Sequence, residues 1–241
     1  MRSIVIGVLI VMTFTGFCSA PASTSPALPP ASTRELVQWT YLAGSNAPPM
    51  AGPLEQTMML SLDIDRDRRD DIVVGGRGRA PALVWLRYTP TGWQRFLIEP
   101  ERLSIEAGGA FADIDGDGDL DIVAGEDYSG NRVFWWENPY PNYDPNTGWT
   151  RRMIKSGGQN RHHDQVFGDF NGDGRMELAF WNQGNRNQPS ILYIAAIPFE
   201  PRQAELWSSA AVFTSTVYAE GLTTADIDGN GMTDLVGGGY W

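Results

Sequence analysis

Cysteine and histidine are almost missing from this chain: its 241 residues hold one cysteine and two histidines. A single thiol cannot build a disulfide framework. No cysteine nucleophile, Ser-His-Asp series or phosphate-binding glycine loop stands in the sequence. Basic residues are also scarce, with 18 Lys and Arg against 29 Asp and Glu and a formal charge of −11. That balance speaks against nucleic acid and anionic membrane as partners. No stretch carries a convincing helical period. The one long apolar run, Ile4 to Phe17, is too short to span a bilayer comfortably.

That run follows Arg2 and precedes the small residues Ser19, Ala20 and Ala22. A basic start, an apolar middle and small residues at the end make residues 1–20 a secretory signal peptide. A lipid anchor on Cys18 is the rival, but Phe17 stands where a small residue is wanted. Cys18 then leaves with the signal, and the mature protein is secreted, periplasmic or on the cell surface without a disulfide. No membrane insertion is expected after cleavage. Residues 21–33 (PASTSPALPPAST) are too poor in apolar side chains to order and read as a tether. Residues 34–241 suffice for one domain. Bound metal is a natural substitute for the missing disulfides.

What the chain has in abundance is repetition. Four segments share one pattern: Asp63-Ile-Asp-Arg-Asp-Arg-Arg-Asp-Asp71, Asp113-Ile-Asp-Gly-Asp-Gly-Asp-Leu-Asp121, Asp169-Phe-Asn-Gly-Asp-Gly-Arg-Met-Glu177 and Asp226-Ile-Asp-Gly-Asn-Gly-Met-Thr-Asp234. Their starts lie 50, 56 and 57 residues apart, which is a blade-length period. A short apolar run follows each one, and two further strand-like runs follow in the first three copies, the last with Trp93, Trp149 or Trp207 near its start. Four short strands per repeat predict an all-β chain, a β-propeller of four-stranded antiparallel blades. The count is one leading strand around Trp39, three whole blades and half of another. An open ring leaves a strand edge unpaired, so the expectation is a fragment of a larger ring, with further blades beyond Trp241, or closure by association.

The repeated acids suit a hard cation. Calcium takes six to eight oxygens around a tight turn. Side chains at loop positions one, three, five and nine supply oxygens, position seven adds its carbonyl, and glycine at position six permits the turn. The second loop thus offers Asp113, Asp115, Asp117 and Asp121, with Asp119 through its carbonyl. The third offers Asp169, Asn171, Asp173 and Glu177 with the carbonyl of Arg175. The fourth offers Asp226, Asp228, Asn230 and Asp234 with that of Met232. Having three carboxylates instead of four, these two should bind more weakly. The first loop has Arg68 in place of glycine, and Arg66, Arg68 and Arg69 could neutralise its acids instead of a metal. An EF-hand is excluded, because position twelve of the second loop is Ala124 and not glutamate.

These loops, their spacing and the Asp-Ile-Val-Gly strand after them resemble FG-GAP/VCBS repeats, the units of integrin-alpha-type propellers. The resemblance covers about Glu55 to Trp241. It implies a propeller with Ca2+ between the first and second strands of each blade, and it leaves the activity open, since such modules serve adhesins, lectin-like proteins and a few enzymes.

A second constellation lies six or seven residues before the loops: Glu106, the pair His162 and His163, and Glu220. Equivalent positions in successive blades converge, so these residues could bind a transition metal or act as acid and base. Solvated strand entrances are the plainer alternative. Most of the aromatic residues recur at blade positions and suit core packing. The loop 138–148, with Tyr140 and Tyr143, is unique to one repeat and is a candidate for stacking on sugars. The functional expectation is a secreted calcium-binding module for a glycan or an extracellular protein. A carbohydrate-active lyase or hydrolase working at the converging residues is the alternative.

Overall fold

The computed structural model describes residues 52–128, 130–185 and 187–241. The signal segment, the tether and the strand expected around Trp39 lie outside the described residues. Every regular element among them is a strand. Valine, isoleucine and aromatic residues alternate with polar ones over runs of three to eight residues, and glycine or Asp-Gly turns separate the runs.

The first blade holds β1 (Gln56–Leu62), β2 (Asp71–Gly76), β3 (Leu83–Thr89) and β4 (Gly92–Glu99). The second holds β5 (Ala110–Ala112), β6 (Asp121–Gly125), β7 (Arg132–Glu137) and β8 (Thr150–Ser156). The third holds β9 (His162–Gly168), β10 (Glu177–Asn182), β11 (Ile191–Ala196) and β12 (Ser209–Thr214). A hairpin of β13 (Leu222–Ala225) and β14 (Asp234–Gly237) follows. Each blade is an antiparallel meander in chain order, so the sheets are three of four strands and one of two. The all-β, incomplete-propeller expectation holds, and a closed ring is not seen among the described residues.

The blades stack through side chains that alternate across each strand. On β7 the consecutive Trp135 and Trp136 are both fully buried, on opposite faces. Trp136, with Phe134 and Ile122, joins Trp85 and Leu83 of the first blade. Trp135, with Val123 and Val133, joins Leu178 and Phe180 of the third. A strand covered on both sides has no polar face to spare, and all five residues of β6 are buried. Trp181 continues the stack with Leu222 and Leu235 of the last hairpin.

One backbone device repeats between neighbours. Leu83 opposes Glu99 while Val84 opposes Leu97, which leaves Ile98 as the extra residue of a β-bulge. Ile154 and Val212 hold the same position in the next two blades. A bulge turns a carbonyl out of its own ladder. The Ile98 carbonyl accepts the Trp149 N–H at 2.9 Å, and the Ile154 carbonyl accepts the Trp207 N–H at 2.9 Å. Both tryptophans lie buried in the core shared with the preceding blade.

Candidate metal loops and the polar cleft at the far strand ends

Each acidic loop joins the first strand of its blade to the second, and all four share one hydrogen-bond frame. The carboxylate at position one accepts the N–H of position six in every copy: Asp63 from Arg68, Asp113 from Gly118, Asp169 from Gly174 and Asp226 from Gly231, at 2.8–3.1 Å. Position three accepts the N–H of position five, and position five accepts that of position seven, again in all four. The frame bends the loop inward, so that the remaining oxygens of Asp63, Asp65 and Asp67, of Asp113, Asp115 and Asp117, and of Asp226, Asp228 and Asp234 gather as clusters that could hold a metal ion.

In every loop a hydrogen-bond donor already stands beside these acids. Arg202, from the turn between β11 and β12, reaches Asp115 at 2.7 Å and Asp117 at 2.6 Å, and bonds Glu137 as well. Arg87 of β3 pairs with Asp65. The Asn171 amide donates to both Asp173 and Glu177, and that of Asn230 to Asp228. In the first loop Asp65 takes its guanidinium from Arg87 and not from the expected Arg66, Arg68 or Arg69, because β3 pairs beside β2 and aims its side chain at the loop. Arg66 lies instead over the Tyr140 ring, 4.5 Å from its centroid.

The acids at position nine start the second strands and close the loops. Asp121 accepts the N–H groups of Ile114 and Asn138, Glu177 that of Phe170, and Asp234 that of Ile227. Burial raises Asp121 to about 8 and Asp71 to about 6. Asp119, expected to act only through its carbonyl, turns its side chain inward, and burial beside Asp117 raises it to about 7. Asp71 Oδ2 and Asp119 Oδ1 are buried without a hydrogen-bond partner. An all-oxygen donor set with buried acceptors left unmatched fits a hard cation.

The first loop takes the common shape at a cost. Positions four and six have φ of 77° and 91° in Gly116 and Gly118, but 61° and 69° in Arg66 and Arg68. A left-handed conformation costs a residue with a side chain about 1 kcal/mol or more. Arg68→Gly is expected to raise stability by about 1 kcal/mol in chelator, read by denaturant unfolding. Unchanged or lower stability would mean that the arginine side chain offsets its own strain.

At the other end of the same hairpins lies a cavity of about 250 Å3. The structure brings Glu106, His163 and Glu220 together on its wall. It does not bring His162. Gln165 opposes Phe180 and His163 opposes Trp181, so Asp164 is the extra residue of a bulge in β9. The bulge leaves His163 and its partner Asp164 at the cavity, their hydrogen bond 2.6 Å long. His162 turns into the core with no exposure, 5.5 Å from the Phe180 ring. Its backbone passes so near Gly125 of β6 that an added Cβ there would collide with the His162 carbonyl. Burial, helped by Lys155, lowers the His162 pKa to about 3.

Sequence reasoning missed the rest of this cavity. Arg77, Asp127 and Gln183 each stand six residues after a position-nine acid, and that register is the signal that could have found them. Tyr128, Arg161 and Tyr218 complete the wall. Arg77 pairs with Asp127, and Arg161 lies 3.6 Å from the same carboxylate. Burial and a hydrogen bond with Asp127 raise Glu106 to about 7. Burial also pushes Asp127 upward, but its bonds to Glu106, the Tyr128 N–H and Arg77 leave it below the usual carboxylate range. For His163 burial works downward, and Asp164, Glu106 and Glu220 outweigh it.

In the loop 138–148, read as a candidate for stacking on sugars, Tyr140 is exposed while Tyr143 and Asn138 brace two blades. Tyr143 packs edge-on against Trp85 and bonds the Ile64 carbonyl at 3.1 Å, and Asn138 holds the Leu120 carbonyl at 3.1 Å. Tyr143 is drawn inward because the groove between two twisted blades offers apolar area that solvent does not.

Residues 63–124 and 113–180 each match the FG-GAP-like repeat family. No curated protein matches the chain.

Proposed function

Because this chain is an FG-GAP-like repeat protein, we propose that it is an exported binding module whose loops hold calcium and whose ligand is a glycan. The observation that carries this reading is the fourfold hydrogen-bond frame, which gathers carboxylates at one end of each first hairpin. Asp113, Asp115 and Asp117 with Asp121, Asp226 and Asp228 with Asp234, and Asp169, Asn171 and Asp173 with Glu177 would hold the ions. Calcium would supply charge neutralisation there and cross-link each hairpin. The seven residues of β9 separate loop from cleft by about 20 Å, so the metal acts on stability and the cleft acts on the ligand. Export rests on the signal-like residues 1–20. Among the described residues no helix is long and apolar enough to cross a membrane.

Elemental analysis after dialysis against calcium at micromolar levels should find about three calcium ions per chain, given the metal-binding range of such oxygen sites. Protein that retains no calcium would sink the reading. One observation favours a second reading, a lyase or hydrolase: Glu106 and Asp127 are adjacent carboxyl groups driven apart in pKa, the arrangement of an acid and base pair. Turnover of a glycan by the wild type, lost in Glu106→Gln, would decide for it.

A further inference from the structure

The cleft carries more than a generic ligand site. Six residues other than glycine have positive φ among the described residues, and two of them belong to the first metal loop. The other four surround the cleft: Tyr128 at 51°, Arg161 at 68°, Asp164 at 44°, and Glu55 at 53°, which lies 3.5 Å from Arg77. Strain of this kind costs about 1–3 kcal/mol per residue and persists where the surroundings enforce it, as at ligand sites. The bulge at Asp164 is a second irregularity in the same place. In a larger cavity of about 550 Å3, Arg132 and Glu126 satisfy each other, with Arg132 Nε donating to Glu126 at 2.7 Å. In the smaller cleft two guanidinium groups are ion-paired yet keep unbonded donors.

The mismatch there lies on the donor side. Arg77 and Arg161 bring two guanidinium groups, each with five N–H donors. Neither Nε makes a hydrogen bond although both are buried: that of Arg77 stands 3.5 Å from a Glu55 oxygen and that of Arg161 3.6 Å from an Asp127 oxygen. Both groups lie over the ring of Tyr128, 5.1 and 5.6 Å from its centroid, while that residue stays 57 % exposed. Arg77 already donates to Asp127 and Arg161 to Tyr218, and the planar forks keep further unbonded N–H groups that suit a ligand carboxylate. Acceptors are equally near. Asp127 and Glu106 are buried beside the guanidinium groups, and Gln183 accepts from Tyr218, which accepts from Arg161. The three acids of the wall, Glu106, Asp127 and Glu220, repel a phosphate dianion more strongly than a single carboxylate, and they accept hydrogen bonds from hydroxyl groups. Apart from Tyr128 and Tyr218, every side chain on the wall is polar or charged, which suits a hydroxylated ligand better than an aliphatic one. A ring with hydroxyl groups all round and one carboxylate meets every one of these conditions.

We propose that this cleft binds a uronic acid residue, its carboxylate on Arg77 and Arg161 and its hydroxyls on Asp127, Glu106 and Gln183. The proposal deepens the glycan reading above and rests on it. The carboxylate gives direction as well as affinity, because it fixes which edge of the sugar enters toward β2 and β6. Tyr128 is a positioning residue that holds both guanidinium groups from above, and its strained backbone is retained for that task.

The test is calorimetric titration of the full chain at one fixed free calcium concentration, with galacturonate, glucuronate and galacturonate trimer, and with glucose and galactose as neutral controls. An acidic sugar is expected to bind at least tenfold more tightly than either neutral one, and to weaken as salt rises. Arg161→Gln should remove that preference. Tyr128→Asn should weaken uronate binding several-fold while raising the melting temperature, because asparagine tolerates the left-handed backbone. A merely structural tyrosine would give the opposite sign in the melt. Equal binding of neutral and acidic sugars, no binding of any, or an unchanged Arg161→Gln variant overturns the proposal. Calcium content is read independently, so loss of calcium with uronate binding intact would refute the metal reading alone.

Discussion

Removing calcium should lower the melting temperature by roughly 8–16 °C. Each site contributes about 1.4 kcal/mol when the free ion stands tenfold above its Kd. Three sites then supply about 4 kcal/mol, and each kcal/mol moves a domain of this size by about 2–4 °C. The loops are placed for such an effect, since each closes the first hairpin of a blade at the end remote from the cleft. Asp115→Ala should cost more of the calcium-dependent shift than Asp65→Ala, because the first loop also carries two arginines in strained backbone. Arg202→Gln should raise calcium affinity at the second loop. Its guanidinium is bonded to Asp115 and Asp117 and must give way to a metal. Scanning calorimetry with calcium and with chelator decides the matter, and coincident curves would refute structural calcium.

Acid should destabilise the protein through His162, by about 1.4 kcal/mol for each pH unit below the ordinary histidine value. The sign follows from its depressed pKa. Below about 6.5 the unfolded chain binds a proton, and the folded chain refuses it until about 3. The stability is therefore complete above pH 6.5 and is lost as pH falls through that window. Lys155, whose charge lies near His162, opposes the proton in the fold as well. Raised carboxyl groups such as Asp121 and Glu106 tilt the same window the other way. The difference between wild type and His162→Leu isolates the histidine. The variant should gain on the wild type steadily as pH falls from 6.5 to 4 in denaturant titrations. Parallel stability curves would mean that His162 takes up its proton inside the fold.

The same residue marks where reading residues in order stops working. His162 and His163 are indistinguishable as a pair of imidazoles at a strand entrance. A bulge at Asp164 sends one to the cleft and buries the other, and nothing local in the sequence announces a bulge of this sort. The arginines of the first loop mislead for a related reason. Nearness in sequence to the acids suggests that Arg66, Arg68 and Arg69 neutralise them, yet Asp65 pairs with Arg87, from the strand beside β2. Tyr143 misleads likewise, since a polar loop reads as exposed until a neighbouring blade covers it.

The amino-acid sequence alone was enough for the repeat, the four-stranded blades and the acidic loops between first and second strands. Those features are local: a turn needs its own Asp and Gly residues, and a strand needs its own alternation. It was also enough to place Glu106, His163 and Glu220 in matching registers. Only the tertiary structure decided that Arg77, Asp127, Tyr128 and Arg161 meet them in one cleft, and that Arg202 leans across a blade boundary onto the second loop. Contacts of that kind depend on the twist and stacking of whole sheets, and on bulges that shift a strand by one residue. The free energy that sets them is the burial of aromatic faces between blades, which no single repeat contains.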